Sequence, residues 1–120
     1  MKIALPVTSD KIEDQMNRTF GRAPKFMIYE TETDTFEMVD NIQNLNAAQG
    51  AGIQSAQNVA SSGAKAIICE NCGPKAYQVL TTAGVEVYIS ESGKVAELVE
   101  KFKKGELKSS SSANVEGHWL

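Results

Sequence analysis

The sequence predicts an α/β fold: a mixed five-stranded sheet that starts with an antiparallel hairpin and continues β-α-β-α-β-α, with helices packed on it. Three observations lead there. A short polar connection joins two apolar segments near the N-terminus. Short apolar runs then alternate with segments of helical periodicity. A glycine closes each of those helical segments.

Ile3–Val7 is a continuous apolar run and reads as a buried strand that starts the core. Thr8–Thr19 is polar, with Ile12 and Met16 as its only large apolar residues, and reads as a long loop able to act as a mobile flap. Lys25–Glu30 and Thr35–Asp40 read as strands, and the polar turn Thr31–Asp34 makes them a hairpin. Ile53, Ala56, Val59 and Ala60 recur at helical spacing before Gly63. Ala66–Cys69 is a short strand. Ala76, Val79, Leu80 and Ala83 mark a second helix closed by Gly84, and Val85–Ile89 is the last strand. Val95, Leu98, Val99 and Phe102 mark a third helix, with Ser92 as its expected N-cap and Gly105 as its stop. The strand–helix–strand units should be right-handed crossovers between parallel strands.

The 120 residues fit one domain over 1–107, followed by a flexible tail over 108–120 that begins in a serine run. The hydrophobic share of 42% and charged share of 22% are those of a soluble globular protein. A net charge of −3 argues against a general nucleic-acid binder. No apolar stretch approaches the roughly 18 residues of a membrane span, and no secretory pattern opens the chain. The expected location is the cytoplasm. There two cysteines are free, catalytic or metal-bound rather than a structural disulfide.

The chemistry centres on Cys69-Glu70-Asn71-Cys72-Gly73-Pro74-Lys75. Gly73 fits an N-cap and Pro74 a first helical position. The loop then offers Asn71, Gly73, Lys75 and a helix N-terminus to an anion or thiolate. The two sulfurs can bind a soft metal, run redox chemistry or simply pack, since free cysteine is among the most buried residue types. Two cysteines are half of a zinc set. His118 can add a third ligand, but no second pair exists. Phe20-Gly21-Arg22-Ala23-Pro24 turns tightly into a strand and carries Arg22, a planar cation for an anionic ligand. The small-residue stretch around Gly50 and Gly52 leads into the first helix and lets a ligand approach the backbone. It completes no nucleotide-binding motif. No nucleophile–base set stands out, so no enzymatic activity is expected.

Four of these segments resemble one family. Lys2-Ile3-Ala4-Leu5-Pro6-Val7, Phe20 through Phe26, Gly50 through Gln57, and Asn71 through Tyr77 with Ala83-Gly84-Val85 are similar to the dinitrogenase iron–molybdenum cofactor biosynthesis family. The resemblance spans roughly residues 1–107. It implies a ribonuclease-H-like fold and the binding or carriage of a metal–sulfur cluster: iron–molybdenum cofactor or a precursor, iron–sulfur, or molybdenum–copper sulfide. The group includes small proteins resembling the orange protein, which holds a molybdenum–copper sulfide cluster. Members often carry a histidine before Phe-Gly-Arg, where this chain has Thr19. The Cys69/Cys72 pair is not general among them.

The combined expectation is a carrier of an anionic metal–sulfur cluster, with a cluster donor or acceptor protein as partner and a homodimer allowed. Cys72, Cys69 and His118 are candidate metal ligands. Arg22, Gly50, Gly52, Asn71, Gly73 and Lys75 are candidate cluster contacts. The alternatives are a small thiol–disulfide redox protein using Cys69/Cys72, or a regulatory or scaffold module.

Overall fold

The computed structural model describes residues 1–41 and 51–110. Eight elements follow in the predicted order: β1 (Lys2–Val7), β2 (Lys25–Glu30), β3 (Thr35–Asp40), α1 (Ala51–Ser61), β4 (Ala66–Cys69), α2 (Pro74–Thr82), β5 (Glu86–Ile89) and α3 (Val95–Lys103). They form one five-stranded sheet in the order β3-β2-β1-β4-β5. β1 pairs antiparallel with β2 and parallel with β4, and β5 extends the parallel half. The α/β expectation, with its N-terminal hairpin and helix-covered sheet, is therefore correct.

Side-chain alternation along each strand divides the core into two layers. Ala4, Phe26, Ile28, Ile67, Cys69 and Val87 face α1 and α2, where Ala56, Val59, Ala76 and Leu80 meet them. Ile3, Leu5, Val7, Met27, Tyr29 and Ile68 face α3, against Val95, Leu98 and Val99. With helices on both faces, β1 and β4 lose their polar–apolar alternation and become the continuous apolar runs seen in the sequence. β3 is the edge, with mostly exposed side chains. Gly84, at a φ of 82°, supplies the left-handed turn from α2 into β5. There Val85 N–H donates to Leu80 C=O at 2.9 Å.

Three local expectations change. Residues 8–19, expected as a mobile flap, are docked. Met16 is 2% exposed and Ile12 packs beside it on the α3 layer. Met16 N–H donates to Gly93 C=O and Asn17 N–H to Pro6 C=O, both at 2.8 Å. The same loop replaces the expected Ser92 cap. The α3 N-cap is Lys94, without a side-chain hydrogen bond. Val95 N–H donates to Asp14 C=O (3.0 Å) and Ala96 N–H to Ile12 C=O (2.9 Å), so loop carbonyls satisfy the first helical donors. Ser92 instead donates its hydroxyl to Met16 C=O at 3.1 Å. Third, the chain stays attached beyond Leu107. Ser109 bridges Tyr88, Ser110 N–H donates to Val87 C=O at 2.7 Å, and Tyr77 Oη donates to Ser110 C=O at 2.8 Å. The backbone of these first two serines pairs with the free side of β5. Residues 111–120 lie outside the described residues. Among the described residues no helix is long and apolar enough to cross a membrane.

Candidate functional site

The parallel strands β1, β4 and β5 all end at the same edge of the sheet. The pairings of Lys25 with Val7 and with Asp40 bring the start of β2 and the end of β3 to that edge too. The 8–24 segment, Asn41, the 70–73 loop, the 90–94 loop and the N-termini of all three helices therefore converge. The carboxyl ends of strands are where open α/β sheets bind ligands.

Cys69 is the last residue of β4 and its side chain faces the α1–α2 layer. Cys72 immediately precedes Gly73, the extended N-cap of α2, and Pro74 occupies the first turn as predicted. Both cysteines are 0% exposed and unbridged, within the apolar core layer under α1 and α2. The sulfurs hydrogen-bond to one another, and Cys72 Sγ donates to Gly73 C=O at 3.7 Å. The pair is electrostatically asymmetric. The hydrogen bond with Cys72 and burial push the Cys69 thiol well above its ordinary value, whereas the hydrogen bond from Cys69 draws Cys72 down against its own desolvation. Cys72 is thus the first thiolate to form.

On its solvent side the 70–73 loop is clasped by Arg18. Nε and one terminal nitrogen of the guanidinium donate to the two carboxylate oxygens of Glu70, each at 3.2 Å. Beneath, Ser90 N–H donates to Cys69 C=O at 3.0 Å. Neither Arg18 nor Glu70 stood out in the sequence, because a fork that closes across more than fifty residues has no local signature.

The Phe20–Pro24 block owes its composition to packing as much as to charge. Phe20 lies against Phe26 with ring centroids 5.4 Å apart. A Cβ on Gly21 would sit 3.1 Å from Gly52 N and 3.2 Å from Gly52 Cα, so the loop backbone rests directly on the first turn of α1. A buried polar network locks this seam. Asn41 Nδ2 donates to Ala23 C=O (2.8 Å) and Ser55 Oγ (2.9 Å), Ser55 Oγ donates to Gly21 C=O (2.9 Å), and Asn58 Nδ2 donates to Asn41 Oδ1 (2.6 Å). Asn41 and Ser55 are 0% exposed. The available signal was a serine on the apolar face of α1, between Ile53 and Ala56.

This arrangement has clear relatives. The family described as dinitrogenase iron–molybdenum cofactor matches residues 1–105. The chain belongs to that family. It is 38% identical over 109 residues to an uncharacterized protein of Methanocaldococcus jannaschii, covering 89% of each chain. The apo form of the orange protein from Desulfovibrio gigas superposes with a TM-score of 0.91 at 32% identity, covering 95% of this chain and 96% of that one. A NifB-like protein from Thermotoga superposes with a TM-score of 0.80 at 33% identity, covering 97% and 98%.

Within this family fold, the strand end gathers Cys69, Asn71, Cys72, Gly73 and Lys75 in one loop and helix start, with Arg22 and Gly52 on the neighbouring seam. Gly50 and His118 lie outside the described residues. Lys75 is exposed, while Arg22, Asn71 and Gly52 are half-buried. Thr19, where the family resemblance leads one to expect a histidine, is exposed, its N–H and hydroxyl both donating to Asn17 Oδ1. Asp10, Glu13, Asp14 and Glu91 belong to the loops on the α3 side. Lys11 and Lys94 share that side, so charges of both signs occur there, while Arg22 and Lys75 lie on the α1–α2 side with the Arg18–Glu70 pair. The groups this edge offers to solvent are N–H groups and cationic side chains rather than thiolates. Both sulfurs turn inward, and the described residues contain no group of three or more His, Cys, Asp or Glu side chains able to share a metal.

Proposed function

We propose that this protein is a carrier for an anionic metal–sulfur cluster, held on the α1–α2 side of the strand end. The observation that carries this reading is the convergence of two helix N-termini with Arg22 and Lys75, in a chain of the iron–molybdenum cofactor family. The first turn of a helix presents N–H groups without intrahelical partners and the positive end of its dipole, and sulfide ligands are acceptors for both. Arg22 and Lys75 add diffuse charge. Two cysteines do not complete a four-thiolate iron–sulfur site, and this reading does not require them to. It asks the site only to hold and release, so no proton transfer or nucleophile is assigned. The partner is the protein that supplies or receives the cluster.

Tetrathiomolybdate is a suitable probe, being a coloured anionic metal sulfide. After anaerobic incubation and desalting, wild type should retain molybdenum. Arg22→Ala/Lys75→Ala should retain several-fold less, and added salt should strip the remainder by screening exposed charge. Equal retention by that variant would remove the site from this edge. No retention by wild type, with thiomolybdate or with iron and sulfide, would remove the function.

A further inference from the structure

The cluster reading leaves the thiol pair unused. We propose that Cys69 and Cys72 form a two-coordinate site for a monovalent soft metal cation, copper(I) in biological terms, beneath the charged rim. This inference goes beyond the cluster reading and does not depend on it.

Donor number and type set the cation. Cys69 ends β4 and Cys72 lies three residues on, both side chains are buried in the same core layer, and the sulfurs share a hydrogen bond, so both are near enough to reach one small ion. Among the described residues no set of three or more His, Cys, Asp or Glu side chains gathers anywhere, so a four-donor zinc or iron–sulfur site is not built here. The nearest carboxylate in the loop, Glu70, points both oxygens at Arg18. Two thiolates alone, in a soft and dry environment, match a monovalent d¹⁰ ion, which accepts low coordination and prefers sulfur.

The surroundings match as well. Both cysteines are 0% exposed and belong to the apolar core layer under α1 and α2, so water is kept from supplying competing oxygen ligands while the loop is closed. Binding breaks two S–H bonds, forms two S–metal bonds and releases two protons to solvent. The metal keeps its oxidation state. The product carries one net negative charge, and it forms next to the N-cap of the nine-residue helix α2, whose dipole stabilises negative charge at that end. Access requires the 70–73 loop to lift. The tie on its solvent side is the Arg18–Glu70 pair, in which the Arg18 side chain is 78% exposed. Such exposed pairs hold weakly.

The test is an anaerobic titration of fully reduced protein with copper(I), supplied as its acetonitrile complex, against bicinchoninate as a coloured competitor. Silver(I) serves as a redox-inert second probe. The expected result is about one equivalent retained per chain, a raised Tm, and protection of both thiols from Ellman's reagent. Cys69→Ala and Cys72→Ala should each lose the bound equivalent and the Tm shift. Alanine suits this apolar pocket better than serine, and the melting curve of each metal-free variant reports whether it is folded. Zinc(II) at the same concentration should not compete. No copper or silver retained by folded wild type, equal retention by the Cys69→Ala/Cys72→Ala double variant, or displacement by zinc would each overturn the proposal. Tetrathiomolybdate uptake by the double variant is a separate readout, so loss of the copper site and loss of the cluster site are distinguishable.

Discussion

At the residue scale, two positions carry most of the site's shape. Gly21 lies so close to Gly52 that any side chain must displace the loop or the first turn of α1. Gly21→Ala should cost about 1–3 kcal/mol, as overpacking does. In a domain of this size that lowers Tm by several degrees, measurable by calorimetry. A Tm unchanged from wild type would mean that the seam yields freely. Cys72 is the second position. Its lowered thiol pKa beside the raised one of Cys69 predicts that it is alkylated first when the loop opens. Limited iodoacetamide treatment with peptide mapping should find modified Cys72 well before modified Cys69, and the opposite order would contradict the assigned polarity of the pair. The C-x-x-C spacing announced that chemistry was available here. It did not say that both sulfurs point inward, because the same spacing serves a loop turned either way. That choice depends on the α1–α2 core layer as a whole, whose other members are mostly distant in sequence.

At the element scale, the loops depart most from what the sequence predicts. Strands and helices were legible because their burial imposes a period: β4 is a bare apolar run, and the α3 stripe recurs at helical spacing. The 8–19 loop has no period. Its order comes from Met16 and Ile12 sinking into the α3 layer and from carbonyls that cap a helix some eighty residues away, and neither leaves a local trace. The same blindness hid the Arg18–Glu70 clasp. Glu70→Gln weakens that clasp and should cost only about 0.5 kcal/mol of global stability, because an exposed pair contributes little. It should nonetheless speed the reaction of Ellman's reagent with the buried thiols several-fold, since opening of the 70–73 loop limits that reaction. An unchanged rate would mean that the clasp does not gate the thiols.

A second tie joins the β2–β3 turn to α3. Asp34 accepts from Lys103 Nζ and from Tyr29 Oη, both at 2.9 Å. The hydrogen bonds from Lys103 and Tyr29 hold the Asp34 carboxyl below its ordinary value of 3.8. A depressed folded value means that the stabilisation is complete above the unfolded carboxylate range and is lost as pH falls through the lowered value. Lys103 is raised from 10.5, chiefly by its hydrogen bond to Asp34. Its share is therefore complete below the unfolded value and fades only as pH rises through the raised one. Wild type should have a higher urea midpoint than Asp34→Asn at neutral pH. The gap should close on acidification through roughly pH 4 and below. A gap that persists into strong acid would assign the difference to something other than this carboxylate.

At the scale of the whole molecule, topology accounts for the site. β1, β4 and β5 run parallel, so their ends, the following loops and the helix starts must share one edge of the sheet. That much follows from the alternation of strand and helix in the sequence, and the family resemblance points to the same fold. The distribution of charge was not legible. Net charge is silent on position: Asp14, Lys11 and Lys94 turn out to sit with α3, while Arg22, Lys75 and the Arg18–Glu70 pair sit on the α1–α2 side. The two proposals together amount to a division of labour at one edge, with an anion held by the rim outside and a soft cation held by the sulfurs inside.

The measurement that tests this most directly is anaerobic reconstitution of Cys69→Ala/Cys72→Ala with tetrathiomolybdate plus copper(I), followed by desalting, metal analysis and visible spectroscopy. Removing the thiols removes the proposed copper site, so copper can stay only as part of a molybdenum–copper sulfide held by the rim. Molybdenum and copper should be retained together, with the colour of a bound cluster. A colourless, metal-free double variant beside a loaded wild type would contradict this division and make the cysteines the cluster's ligands.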